Sequence, residues 1–109
     1  MSSHQVVDVS QVVARNGIFR ALTDELGVAG FRINQLELAP GAEGLEHDHV
    51  GDDQEEVYAV VAGGGVLRTG GEEIPLHAGH FVHLPPDVRR QMVAGDQGLT
   101  WIGIGAATE

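Results

Sequence analysis

The chain has 109 residues, no cysteine, and a net charge of −10 that arises from sixteen acids against six arginines, with no lysine. These totals exclude a disulfide framework, thiolate metal ligation and a cysteine nucleophile, and the lack of clustered cations excludes nucleic acid as a partner. The length fits one domain with one core, and the absence of a signal-peptide pattern or of an apolar run approaching about 18 residues leads to the expectation of a cytoplasmic protein with no membrane partner.

In chain order, "SHQVVDVSQVVAR" predicts an edge strand followed by a short turn. "IFRALTDELG" fits a strand or a helical turn, since Ile18, Leu22 and Leu26 match helical spacing as well as they match two short strands. "FRINQLELAPG" alternates, with Phe31, Ile33, Gln35 and Glu37 on one parity and Asn34, Leu36 and Leu38 on the other, and Pro40-Gly41 ends it. "EEVYAVVAG" has the β-branched and aromatic content of a buried strand. Gly63 to Gly65 then open a hairpin in which "VLRT" and "EEIPL" turn at Gly70-Gly71. "GHFVHLPPDV" predicts a strand stopped by Pro85-Pro86, and "RRQMVAGDQGLTWIGIGA" two closing strands around Gly95-Asp96. Short strands separated by glycines at roughly 8–12-residue spacing indicate an all-β sandwich or barrel.

The stretch "LEHDHVGDDQEEVYAVVAGGG" carries the chemistry. Glu43, Glu46, Asp48, Asp52, Asp53, Glu55 and Glu56 crowd around His47 and His49. On an extended segment His47 and His49 point to one face and Asp48 to the other. An acid leading the next strand can join that face; Glu56 travels with Tyr58 and Val60, Glu55 with Val57 and Ala59, and spacing does not choose between them. Two imidazoles and one carboxylate form a facial set suited to Fe(II), and also to Mn, Ni, Cu or Zn. The competing reading is a solvated acidic loop holding two exposed histidines.

"PGAEGLEHDHVGDDQEEVYAVVAGG" followed by "GEEIPLHAGHFVHLPPDVRRQ" resembles the cupin superfamily, whose members are small jelly-roll β-barrels. Its first motif places His-x-His five residues after a Gly, then a Glu, then a Gly six residues later. Gly41, His47, His49, Glu56 and Gly63 fill these places, so the resemblance selects Glu56 over Glu55. The six residues between His49 and Glu56 exceed the usual gap, an insertion that a loop tolerates at small entropic cost. In the second motif Gly79 and Pro85 fit, Asp87 replaces a Gly, and Arg90 stands at the place of the fourth metal ligand.

A guanidinium offers no lone pair to a metal. Either Arg90 binds an anionic group of a substrate beside a metal held by His47, His49 and Glu56, or it pairs with Glu56 and no metal is held. The resemblance implies a jelly-roll β-barrel over residues 31–109 with an N-terminal extension and edge strands over 1–30, a single divalent transition metal, a small-molecule ligand and a homodimer. If the chain is an enzyme, the resemblance implies a dioxygenase or isomerase. Tyr58 and Met92 are expected to line the pocket with Arg90, and His80 to sit at its rim, while His83 and His77 are expected to lie away from it.

Overall fold

The computed structural model describes residues 3–108. A short 3-10 turn (Val9–Gln11) leads into β1 (Ala14–Arg15), β2 (Phe19–Ala21), one helical turn α1 (Thr23–Leu26), β3 (Arg32–Leu38), β4 (Gln54–Thr69), β5 (Glu72–His77), β6 (Phe81–Leu84) and β7 (Gln91–Ala107). The segment that fitted a strand or a helical turn contains both. All strand pairs are antiparallel, in the order β1-β2-β3-β7-β4-β5, with β6 also on β4. Among the described residues no helix is long and apolar enough to cross a membrane.

β4 and β7 pair from Gln54↔Ala107 to Arg68↔Gln91. The first part of β4 has β6 on its other side and the second part has β5. The second part of β7 carries β3, while Val93 in its first part and Arg90 just before it are bridged by the loop residues Glu43 and His47. The same two strands thus belong to two sheets laid over each other, which is the expected jelly roll.

Breaks expected at Gly63 to Gly65 and at Gly95-Asp96 are not breaks: both strands run through. A Cβ on Gly63 would lie 2.1 Å from Gly98 O, and one on Gly65 2.0 Å from Val93 O. Without side chains there, β4 presses against β7 while the register shifts between Val60 and Ala62 and again between Gly63 and Gly65. These glycines mark bulges where a strand passes from one sheet to the other. Gly70-Gly71, with φ of 57° and 79°, is the expected two-residue hairpin turn.

The core lies between the sheets and comprises Leu38, Tyr58, Val60, Leu67, Leu76, Leu84, Met92, Ala94, Leu99 and Trp101. Burial of a leucine such as Leu67 or Leu99 stabilises by roughly 1.5–3 kcal/mol. At the N-terminus, Arg20 donates to Val12 O at 2.6 Å and to Glu37 Oε2 at 2.6 Å, fastening the leading segment to β3.

Candidate metal centre and cavity

Strand register decides which side chains meet. Arg32, Gly105, Glu56 and Leu84 stand opposite one another on β3, β7, β4 and β6; the next row is Asn34, Gly103, Tyr58 and Val82, and the next Leu36, Trp101 and Val60. Residues of a row share a face, so Glu56 points inward with Tyr58. Glu55 points outward and meets His83 Nε2 at 2.6 Å.

Over this sheet runs the loop with the two histidines. His47 N donates to Arg90 O and His49 N to Pro86 O, each at 2.9 Å, which keeps the segment extended. The two rings therefore share a side, 5.1 Å apart edge to face, while Asp48 turns away to Arg89. The donor atoms of His47, His49 and Glu56 lie within 4.8 Å of one another.

Hydrogen bonding fixes the tautomers. His47 Nδ1 donates to Leu45 O at 3.0 Å and His49 Nδ1 to Asp52 Oδ1 at 2.9 Å, partners that only accept. Each Nδ1 therefore carries a hydrogen, and in the neutral rings each Nε2 keeps its lone pair. His49 Nε2 lies 3.2 Å from Glu56 Oε1. A lone pair facing a carboxylate oxygen at that distance needs a cation between them, a proton or a metal ion. Partial desolvation raises the Asp52 carboxyl but is outweighed by the hydrogen bond and charge of His49, so its pKa lies below the usual value and it stays an acceptor. The residues inserted after His49 thus supply an outer partner that orients a ligand.

Arg90 is 1% exposed and donates from Nη1 to Val88 O at 2.7 Å and from Nη2 to Glu56 Oε1 at 2.5 Å. Burial works against its charge, yet contact with Tyr58 and Glu56 holds its pKa above the ordinary guanidinium value. The Arg90 guanidinium and the Glu56 carboxylate thus form an ion pair at the cavity wall. Burial first, and then the adjacent Glu56 charge, push the Tyr58 phenol up to about 12.

These groups line one cavity of about 590 Å³, together with Met92, Trp101 and Leu36. His80 is absent from its lining. The ring of His80 instead stacks 3.9 Å from that of His77 and accepts from His77 N at 2.9 Å. The cavity also takes in Arg15, Arg32, Asn34 and Asp52, which the sequence reading passed over. Arg32 had a signal, since it shares parity with Asn34 and Leu36; Arg15 had none, because its place depends on long-range pairing.

Residues 34–105 match the family model described as the cupin domain. No curated protein sequence matches the chain. Among solved structures, a cupin protein from Bacteroides fragilis is 27% identical with a TM-score of 0.84, over 99% of this chain and 87% of that one. A Cupin 2 conserved barrel domain protein from Salinispora arenicola is 25% identical with a TM-score of 0.78, over 99% and 91%. A sugar phosphate isomerase from a cupin superfamily, from Silicibacter pomeroyi, is 27% identical with a TM-score of 0.70, over 83% of this chain and 59% of that one.

Proposed function

The chain belongs to the cupin domain family, and from that premise we propose that it binds one divalent transition metal through His47, His49 and Glu56, and a small organic ligand in the cavity beside it. The observation that carries this reading is the pair of Nδ1 hydrogen bonds, to Leu45 O and Asp52, which leave both Nε2 atoms for a shared cation next to Glu56. Three protein ligands leave coordination positions open, and a metal there supplies Lewis acidity to a bound ligand.

The chain's own residues do the rest. Arg90 orients Glu56, Asp52 orients His49, and Tyr58, Met92 and Trp101 form a wall that excludes water. Oxygenase or isomerase chemistry on a small polar acid is the reaction class this reading assigns. The isomerase arm draws on the similarity to the Silicibacter pomeroyi sugar phosphate isomerase, of which this chain spans just over half.

A second reading, ligand binding without a metal, is favoured by the Arg90 guanidinium already paired with Glu56. Elemental analysis of untagged protein separates the two: about one equivalent of metal supports the first. Protein that stays empty when offered iron, manganese, nickel, zinc and copper leaves only the second.

The homodimer belongs to the same proposal. Its support is the outer sheet face, where Ile33, Ile104 and Val57 form one row and Ile102, Ala59 and Phe81 share the next, with Phe81 75% exposed.

A further inference from the structure

Six arginines face sixteen acids in this chain. Arg20, Arg68, Arg89 and Arg90 each form an ion pair with a carboxylate. Among the described residues no carboxylate pairs with Arg15 or Arg32, and both line the cavity. In a chain this acidic, two guanidinium groups left without carboxylates and facing one cavity make its β1–β3 wall a local positive region.

The wall is furnished for an anion. Asn34 accepts from Leu22 N through Oδ1 at 3.2 Å, so its amide NH2 remains a donor on the face it shares with Arg32. Arg15 lies 5.6 Å over the Phe19 ring, which holds the side chain against the cavity lining. Between this wall and the imidazoles Gly105 and Gly103 separate Arg32 from Glu56 and Asn34 from Tyr58, and the side chains of Gln54, Glu56, Tyr58 and Leu36 close over these glycines. At the opposite end the lining acids are already engaged: Glu43 by Arg68, Asp52 by His49, and Glu56 by Arg90.

We propose that Arg15, Arg32 and the Asn34 amide form an anion subsite that receives the carboxylate or phosphate of a ligand whose other end reaches His47, His49 and Glu56. The inference rests on the reading of this cavity as a small-molecule site, and it does not require the metal. Two strand spacings separate Arg32 from Glu56, about 10 Å between backbones. The ligand is therefore a short-chain acid or phosphate ester bearing oxygen atoms at its far end. Arg90 has no part in holding the anion, since its Nη1 and Nη2 are committed to Val88 O and Glu56 and its Nε, which lacks a partner, is buried.

The test uses full-length protein stripped of metal by a chelator, titrated separately with inorganic phosphate and with succinate. Trp101, the only tryptophan, lines the cavity and reports by its fluorescence, with calorimetry alongside. Saturable binding of either anion is expected, and the arm that saturates names the anionic group. Arg32→Gln and Arg15→Gln should each weaken it about tenfold or more, the scale of one lost charge-assisted contact. Arg89→Gln, on the outer surface, should leave it unchanged. Arg32→Lys, which keeps the charge, gives an intermediate affinity and covers the case in which Arg32→Gln does not fold. Wild-type protein that binds neither anion, or Arg15 and Arg32 variants that bind as wild type does, overturns the subsite. Anion binding by protein that never takes up metal defeats only the metal reading; metal uptake without anion binding defeats only the subsite.

Discussion

Arg90 donates from Nη2 to Glu56 Oε1 at 2.5 Å, with its own side chain wholly buried and that of Glu56 17% exposed. One partner is dry and the other nearly so, and removal of either leaves a charge without its counterion. Arg90→His should lower stability by about 2–4 kcal/mol, read by denaturant unfolding of the metal-free protein. The same variant replaces a competing cation with a lone-pair donor, so metal affinity should rise about tenfold in a competition assay. The opposite signs are the diagnostic, and a variant in which affinity falls along with stability shows that the orientation Arg90 gives Glu56 outweighs its competing charge.

Asp52 touches no part of the proposed coordination sphere except the far nitrogen of His49. Its side chain is 58% exposed, so Asp52→Asn should leave the melting temperature nearly unchanged. Metal affinity should nevertheless fall about tenfold or more, the usual cost of losing a carboxylate behind a ligating histidine. His47→Ala should abolish binding and His77→Ala should not affect it. Equal affinities for Asp52→Asn and wild type remove the orienting role.

Gly65 and Gly70 look alike in sequence and differ in what surrounds them. A Cβ on Gly65 meets Val93 O at 2.0 Å, whereas Gly70 has nothing within 4 Å and only its φ of 57° to oppose a side chain. Gly65→Ala should therefore destabilise by about 3 kcal/mol or more, because β4 and β7 must part. Gly70→Ala should cost about 1 kcal/mol, the price of a left-handed non-glycine residue. Equal losses would show that the close approach of the two strands relaxes freely.

The site was more legible than the path of the chain, for a physical reason. The convergence of His47 and His49 follows from a period of two, which any extended segment obeys, and the register of β4 against β7 then admits Glu56 and sends Glu55 outside. Gly63 to Gly65 mark a turn on local grounds, yet their role is set by Gly98 and Val93 across the sheet, which local pattern does not contain. His80 illustrates the same limit. The expectation put it at the pocket rim, but next to the turn at Gly79, with φ of 98°, its ring lies against His77 and accepts from His77 N. The one-sided crowding of acids hid the reverse fact, that among the described residues two of the six arginines pair with no carboxylate.

Tyr58 is the only tyrosine, so its ionisation is visible without interference in the near-ultraviolet absorbance. Its folded pKa lies at about 12 against an ordinary 10.0, raised chiefly by burial and then by the Glu56 charge, with Arg90 opposing. A group whose pKa is higher in the folded state binds more protons folded than unfolded between those two values. The stability that neutral Tyr58 contributes is therefore complete below about pH 10 and declines as pH rises toward about 12, by roughly 2–3 kcal/mol in all. Spectrophotometric titration should show no tyrosinate until the top of that window, and Glu56→Gln should bring the midpoint down by removing the adjacent negative charge. A midpoint near 10 in the folded wild type would mean that the phenol is hydrated, and the dry wall beside the imidazoles would go with it.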